Sequence, residues 1–341
     1  MTRWFLAFFV AGVVTILLRM RHIADMLARP SPGNVLLIAA AALVPVVAFL
    51  GWRWSRTSPQ ALSGTGVTAR LTRNRSFLVG SAIVTALCLA AVFAPILSAH
   101  DPLAQPDLVT GTNLAPSFAH PFGTDAYSRD VLSRLLHGAR WSLSVALAAV
   151  VLLVMTGTLV GVLAGLSGGA IDMVLMRIVD AGLAFPRILL LLVVAALWRN
   201  LDLLALALIL GLTGWFGLSR IVRAEVLSLR HRPFVAAARA LGMGRWRMIV
   251  RHILPNLVGP ITVAAALGVG NIVLIEASLS YLGIGATIPD PAWGSIVRES
   301  HELLVASPWT AIFPGLAIFV TVAGFSLVGD GLRAALNPQA R

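Results

Sequence analysis

The fold of this chain is decided by residues 142–166, which read SLSVALAAVVLLVMTGTLVGVLAGL. The stretch carries no charged residue. As a helix rising about 1.5 Å per residue, it is long enough to cross a hydrocarbon core about 30 Å thick. Gly157, Gly161 and Gly165 recur at every fourth position, on one helix face, which lets a neighbouring helix approach closely. The stretch therefore predicts a membrane-spanning helix that packs tightly against another.

Similar apolar stretches occur along the whole chain, at about 4–20, 35–52, 77–97, 178–198, 203–219, 259–281 and 310–329. Only 12% of the 341 residues are charged and 58% are hydrophobic, whereas soluble domains carry about 25% charged residues. Lipid offers no partner to backbone N–H and C=O groups, and these stretches are too long for barrel strands. We therefore expect an all-α polytopic membrane protein.

The charge balance is strongly basic, with 26 basic residues against 14 acidic ones and a net charge of +12. In a soluble protein this excess would indicate nucleic acid. Here every basic residue is Arg, and 13 of them lie in two connections, 53–75 and 220–251. The positive-inside rule places both connections in the cytoplasm, and counting spans leaves the C-terminus there too. We therefore expect membrane lipid, and no nucleic acid, as a partner.

The absence of Lys excludes a P-loop ATPase, because the Walker A sequence needs a Lys on the β- and γ-phosphates. Any ATP hydrolysis that serves this chain must come from a partner. Cys88 is the single cysteine, so no intrachain disulfide forms. None of the seven His belongs to an H-E-x-x-H pattern, and His301-Glu302 lacks the second His. We therefore expect no metal, no bound cofactor and no catalytic residue in this chain.

The connection 98–141 lies on the external side by the same counting of spans. It carries charges of both signs, and four prolines keep its first part extended. Near its end, Thr124 or Asp125 is predicted to cap a short surface helix that Gly138 terminates. A second external segment is expected to hold a short helix at 294–305.

The most informative cytoplasmic stretch is 234–255, which reads FVAAARALGMGRWRMIVRHILP. The pattern predicts a first apolar helix face, a break at Gly242-Met243-Gly244, and a second apolar stripe that Pro255 terminates. The first face holds Phe234, Ala238 and Leu241, and the second holds Trp246, Ile249, Val250 and Ile253. Two short amphipathic helices around a glycine hinge indicate a protein docking surface. The alternative is an Arg-rich helix pair lying on lipid.

This stretch resembles the EAA motif of binding-protein-dependent ABC importer permeases, which reads Glu-Ala-Ala, three residues, Gly, and an apolar-Leu-Pro ending. Ala236 stands where the motif has Glu. The resemblance implies that 220–256 is a coupling loop seated in a cleft of a cytoplasmic ATPase subunit. It assigns the coupling role to Ala236, Ala237, Ala238, Arg239, Leu241, Gly242, Met243, Trp246, Arg247, Ile249, Leu254 and Pro255.

The resemblance extends over about 120–338. Residues 120–134, HPFGTDAYSRDVLSR, are similar to the His-Pro-x-Gly-Thr-Asp-x-x-Gly-Arg-Asp signature of the C-type subunit in the dipeptide, oligopeptide and nickel branch, with Ser128 in place of the usual Gly. The resemblance implies a six-helix, MetI-like permease domain over 77–341. Residues 1–76, with two probable transmembrane helices, form an extension outside this pattern.

The same resemblance implies the partners and the transport reaction. A second permease subunit would complete a heterodimer, two ABC ATPase subunits would bind ATP and Mg, and an extracytoplasmic binding protein would deliver peptides for alternating access across the bacterial cytoplasmic membrane. Nickel or another small solute stays an alternative substrate. An ATP-independent secondary transporter is a further alternative, although the inverted repeats typical of one are not visible. A membrane enzyme would need a catalytic constellation, and none stands out.

Several polar residues keep two interpretations at this stage. Glu276 lies in an apolar span, where it either lines the translocation path or bonds to a neighbouring helix. Pro186 removes a helix hydrogen bond and can form a gate kink, with Asp180 and Arg187 in contact across it. The alternative there is purely structural. Three residues of the external connection either contact the binding protein or only brace the surface helix: Asp125, Arg129 and Asp130.

Overall fold

The computed structural model of the chain describes residues 67–196, 202–285 and 291–336. The predicted spans 4–20 and 35–52 lie outside these residues. Within the described part, the regular secondary structure is helical, and only an isolated bridge between Thr124 and Asp130 pairs in the manner of strands. The expectation of an all-α fold is confirmed.

The helices follow one another in this order: α1 (Val67–Arg73), α2 (Arg75–Val92), α3 (Ala94–Leu97), α4 (Val131–Ser167), α5 (Gly169–Ala184), α6 (Arg187–Ala196), α7 (Leu203–Gly214), α8 (Phe216–Arg230), α9 (Pro233–Ala240), α10 (Arg245–Met248), α11 (Leu254–Tyr281), α12 (Trp293–Glu299) and α13 (Trp309–Leu336). A π-helical turn, Ile249–Ile253, joins α10 to α11, and a 3₁₀ turn, His301–Leu303, follows α12.

Most predicted spans have a counterpart among these helices. Within the described ranges, four helices are long and apolar enough to cross a membrane: Arg75–Val92, Val131–Ser167, Trp246–Tyr281 and Trp309–Leu336. Helices α7 and α8 meet at an angle of 44° at the predicted 203–219, and the pair counts as a fifth span if the two are taken as one bent helix. The predicted span 178–198 is divided between α5 and α6, which are separated by a break at residues 185 and 186.

The predicted short surface helix is wrong. Helix α4 runs for 37 residues from Val131, so Gly138 lies inside it, and Asp130 caps it by accepting a 2.7 Å hydrogen bond from Ser133 N. A Cβ on Gly138 would lie 3.0 Å from Trp293 Cδ1, and the indole Nε1 of Trp293 donates to Leu135 O over 3.0 Å. Gly138 therefore makes room for α12 instead of ending a helix.

The prediction that Pro255 terminates the second amphipathic helix is also wrong. The helical path is continuous from α10 through the π turn into α11, and Pro255 stands in the first turn of α11. Leu254 N donates to Ile249 O, five residues back, so the π turn has already shifted the hydrogen-bond pattern where Pro255 offers no N–H. Helix α10 is therefore joined to the span α11 without a loop.

The three glycines of α4 pack against α8, as predicted. A Cβ on Gly157 would lie 3.0 Å from Leu218 Cβ, and one on Gly165 would lie 2.7 Å from Val226 Cβ. A Cβ on Gly161 would lie 2.6 Å from the backbone oxygen of Ser219. Only a helix face without side chains can approach its neighbour this closely.

Helix α4 has different neighbours at its two ends. The ends are about 55 Å apart, because an α-helix rises about 1.5 Å per residue. At its start lie residues 98–130 and α12, which we call the cap. At its end, a guanidinium nitrogen of Arg230 donates to Gly165 O over 3.2 Å. This contact brings the end of α8 to the end of α4. Residues 231–253, which follow α8, are called the hinge segment.

Candidate functional site

The hinge segment is built around Gly242, as the sequence predicts. Its φ is +74°, a region that residues with a Cβ rarely adopt. Leu241 N donates to Ala237 O over 3.0 Å and Met243 N donates to Ala238 O over 3.1 Å, and these bonds close the end of α9. A Cβ on Gly242 or Gly244 would meet no other atom within 4 Å. Gly242 is therefore required by the backbone turn, and open space surrounds it.

The apolar residues of the hinge segment divide into two groups. Val235, Ala238, Met248 and Ile253 are buried. In contrast, Leu241 is 87% exposed, Trp246 is 75% exposed and Val250 is 46% exposed. The predicted shared face of Ala238 and Leu241 is wrong, because α9 ends at Ala240 and Leu241 turns outward. Three large apolar side chains exposed on one short segment are typical of a docking surface.

The remaining coupling residues occupy both sides of this segment. Ala236 and Ala237 are exposed on α9, and Arg247 is exposed on α10. Arg239 belongs to α9. Four others are partly buried where the segment packs back onto the bundle: Met243, Ile249, Leu254 and Pro255. Ala236 presents only a methyl group at the position where the motif has a carboxylate.

Two acidic residues of α5 are paired with Arg residues of α8. The Asp172 carboxylate accepts two bonds of 2.6 Å from the Nε and NH2 atoms of Arg223. Asp180 accepts a bond from Arg220. The predicted contact between Asp180 and Arg187 is wrong, because the Arg187 guanidinium turns toward α7 and donates to Leu210 O over 2.9 Å. Asp180 therefore fixes α5 to α8 and does not bridge the break at Pro186.

Pro186 follows the exposed Phe185 at the junction of α5 and α6. The predicted kink is present, because α5 ends at Ala184 and α6 begins only at Arg187. The broken helix could serve as a gate, and that role stays a prediction.

The cap is organised around Asp125. One carboxylate oxygen accepts bonds from Tyr127 N and Arg129 N, and the other accepts bonds of 2.7 Å from Arg129 Nε and 2.6 Å from Arg134 NH1. Glu299 of α12 bonds both guanidiniums, with Arg134 NH1 at 2.9 Å from its Oε2. Two carboxylates and two guanidiniums thus tie the loop to α4 and α12. These contacts fit the bracing interpretation of Asp125 and Arg129.

Glu299 was missed by the sequence analysis. The available signal was that Glu299 lies in a predicted external helix while Arg129 and Arg134 lie in the other external segment. Nothing in the spacing of these residues placed the two segments together. Ser128, which replaces the Gly of the signature, has a φ of +59°. That conformation explains why the signature has Gly at this position. In this chain Ser128 adopts the positive φ within a turn, and its N donates to Asp125 O over 3.1 Å to close that turn.

Glu276 is completely buried where α11 packs among its neighbours. Its Oε1 accepts a 2.8 Å bond from the Ser280 hydroxyl, one turn along the same helix. Its Oε2 has no hydrogen-bond partner among the described residues. The observed bond of Glu276 therefore lies within α11. A contact with substrate stays a prediction.

A bundle of membrane-spanning helices, with a self-contained cap at one end and an exposed apolar hinge at the other, defines a helical membrane subunit built to work with partner proteins. Residues 157–341 match the family described as the binding-protein-dependent transport system inner membrane component. Residues 66–116 match the N-terminal TM domain of oligopeptide transport permease C. The chain belongs to the binding-protein-dependent transport permeases, and its predicted assignment to the C-type branch is confirmed.

Two relatives illustrate the extent of the similarity. The chain is 42% identical over 273 residues to the dipeptide transport system permease protein DppC of Alkalihalophilus pseudofirmus, which covers 79% of this chain and 88% of that protein. It is 36% identical over 277 residues to the oligopeptide transport system permease protein OppC of Bacillus subtilis, covering 80% of this chain and 88% of that protein.

Proposed function

We propose that this chain is the permease subunit of an ATP-driven importer that moves peptides across a bacterial cytoplasmic membrane by alternating access. The observation that carries the proposal is the exposed hinge segment, with Leu241, Trp246 and Val250 directed away from the bundle. Family membership and the peptide transport named for both relatives support the choice of substrate class. Nickel chelates or other small solutes are the alternative cargo.

The coupling step uses the continuity of α10, the π turn and α11. An ATPase subunit that binds Trp246 holds the start of a helical path that runs to Tyr281. Because no loop interrupts this path, a displacement of the hinge segment is transmitted into the membrane. Gly242 separates α9 from α10, so the two short helices keep a fixed turn between them while they are seated in the ATPase.

The partners follow from this arrangement. Two cytoplasmic ATPase subunits bind ATP and Mg, and this chain supplies no catalytic residue. A second permease subunit completes the path by packing against apolar helix faces such as that of Phe319 in α13, which is exposed. The Arg-rich hinge segment and the C-terminus face the cytoplasm, and the cap faces outward, where a binding protein docks near Asp125, Arg129 and Asp130.

The absence of a carboxylate at Ala236 shapes the ATPase contact. With a methyl group at this exposed position, the apolar pair of Leu241 and Trp246 carries more of the binding than in a permease with the motif Glu. Burying exposed apolar side chains in a cleft of the ATPase supplies the free energy of docking.

Co-purification tests the ATPase assignment. The tagged chain is co-expressed with its partner permease, its binding protein and its ATPase subunits, and the recovered ATPase is quantified together with uptake of a labelled dipeptide. We expect the unmodified chain to recover ATPase and Gly242→Asp to lose both ATPase and uptake. Val109→Asp is the matched control for ATPase recovery, because Val109 is 88% exposed on the cap and lies outside the hinge segment. If the unmodified chain recovers no ATPase and Gly242→Asp leaves uptake intact, the proposal fails.

A further inference from the structure

Three potential metal ligands that are distant in sequence meet in the cap. His120 Nδ1 lies 2.9 Å from Asp130 Oδ1, and His100 Nδ1 lies 3.9 Å from the same oxygen. The two imidazole rings are 4.7 Å apart between centroids and are inclined by 31°. One ligand atom from each residue can be chosen so that all three lie within 4.8 Å of one another.

These separations suit a tetrahedral cation. In a site with metal–ligand bonds of about 2.0–2.1 Å, neighbouring ligand atoms lie about 3.4 Å apart. The two Nδ1–Oδ1 distances, 2.9 Å and 3.9 Å, lie on either side of that value. We propose that His100, His120 and Asp130 form a binding site for a divalent transition-metal ion, with zinc as the preferred ion.

The site is supported by fixed surroundings. Asp130 is buried, and its other oxygen, Oδ2, accepts the 2.7 Å bond from Ser133 N that caps α4. This bond leaves Oδ1 directed at the two imidazoles. The backbone of His120 is held on both sides, because its N donates to the Ser117 hydroxyl over 3.2 Å and its carbonyl accepts from Gly123 N over 2.9 Å. Ligands held in this way bind a metal with little rearrangement.

The local charges favour a cation at this place. The nearby guanidiniums of Arg129 and Arg134 are engaged by Asp125 and Glu299, so two positive charges face two negative ones. Asp130 Oδ1 forms a 2.9 Å hydrogen bond with His120 Nδ1 and lies 3.9 Å from His100 Nδ1, so its carboxylate faces the two imidazoles. When a metal binds, His120 takes the tautomer with its proton on Nε2, and the Nδ1 lone pair faces the ion. Two imidazoles and one carboxylate suit zinc far better than magnesium or calcium.

The site is accessible and would change the behaviour of the cap. The His100 side chain is 42% exposed and that of His120 is 19% exposed. Three protein ligands leave the fourth position to water or to a donor from a docked protein. A bound ion would connect His100, just after α3, to Asp130 at the start of α4. It would thereby close the loop between these two residues. Since the ligands come together only in the folded cap, metal binding would stabilise that fold.

The sequence concealed this site, and we expected no metal from it. The ligands are separated by 20 and 10 residues, spacings that match no short metal-binding pattern. Only the turn at 123–130 brings His120 beside Asp130, and only the chain leaving α3 brings His100 to the pair.

Metal analysis of the full-length chain tests the proposal. The protein is purified in lipid nanodiscs with a tag that lacks histidine, stripped with a chelator and dialysed against buffers of defined free Zn²⁺. Bound zinc per chain and the thermal midpoint are then measured. We expect one zinc per chain and a rise in the midpoint. His100→Gln should weaken zinc binding by at least about tenfold while leaving the zinc-free midpoint unchanged, since His100 is exposed.

Two further variants separate the site from general effects. Asp130→Asn keeps an oxygen that caps α4 but removes the carboxylate charge, so it should also lose zinc. His301→Gln is the control, because His301 is an exposed histidine that is not one of the three ligands and whose ring contacts Tyr281. If His100→Gln and Asp130→Asn bind zinc as the unmodified chain does, or if the unmodified chain binds none, the three residues only brace the loop and the proposal is overturned.

Discussion

The cap and the hinge segment lie at opposite ends of α4 and are built on opposite principles. At the cap, buried Asp125 bonds to Arg129 and to Arg134 of α4, and Glu299 bonds to both guanidiniums, so charges of both signs are paired within the chain. In the hinge segment, Leu241 and Trp246 are apolar and exposed. The difference shows that this chain pairs buried charges within itself at one end and leaves large apolar side chains exposed at the other.

The largest expected effect is at the cap. Arg134→Met removes a guanidinium whose side chain is only 4% exposed and leaves Asp125 and Glu299 without that partner. Removing one member of a buried ion pair costs about 3–5 kcal/mol of stability, measured as the free energy of unfolding in detergent. Arg220→Met is the control, because the Arg220–Asp180 pair is about half exposed and such pairs contribute about 0–1 kcal/mol. Equal losses in the two variants would contradict the cap as a buried network.

The next effect lies between the two ends, where α4 supports α8. Gly161→Ala puts a Cβ 2.6 Å from the Ser219 backbone oxygen, which cannot move aside as a side chain can. Overpacking of this kind costs about 1–3 kcal/mol. Gly217→Ala is the matched change on α8, where a Cβ meets no atom within 4 Å. It should be neutral or stabilising, by up to about 1 kcal/mol from helix propensity. Thermal unfolding of both variants checks the prediction, and similar midpoints would argue against close α4–α8 packing.

At the hinge segment, the expected effect is on association and not on folding. Leu241→Ala combined with Trp246→Ala should leave the unfolding midpoint of the isolated chain unchanged, because both side chains are exposed. The affinity for the ATPase subunit should fall by at least about tenfold, or about 1.4 kcal/mol. Binding is measured by titrating ATPase onto the chain in nanodiscs. Undiminished affinity would mean that these side chains lie on lipid.

The smallest expected effect concerns the turn itself. Gly242→Ala places a Cβ on a residue with φ of +74°, at a cost of about 1 kcal/mol. Gly244→Ala is the matched control, because it also has no neighbour within 4 Å but is not among the residues with positive φ. Peptide uptake should fall for Gly242→Ala and stay near normal for Gly244→Ala. The reverse ranking would show that the backbone turn is not what the hinge requires.

The sequence predicted those features that depend on local composition. Among the described residues, apolar length located the spans other than 178–198, which is divided. The four-residue glycine repeat predicted a closely packed helix face, and Gly242 located the hinge. It could not predict features decided by distant residues. Gly138 resembles a helix terminator until Trp293 packs on it. Pro255 also has the sequence signature of a helix terminator, but the π turn that precedes it lets the helix continue. The partners of Asp180 and Asp125 were missed for the same reason, because Arg220 and Glu299 approach them only in the folded chain.

The π turn at Ile249–Ile253 also sets how far the side chains of α10 are rotated about the helix axis relative to those of α11. It holds one residue more than an α-helical turn would, and each residue of an α-helix rotates the chain by about 100°. The outward direction of Trp246 is thereby offset from the faces that α11 presents inside the membrane. Deleting Arg251 or His252 from this turn would keep every apolar side chain of the hinge segment and still point the docking face in another direction. The direction in which Trp246 points relative to α11 therefore depends on the one extra residue in the π turn.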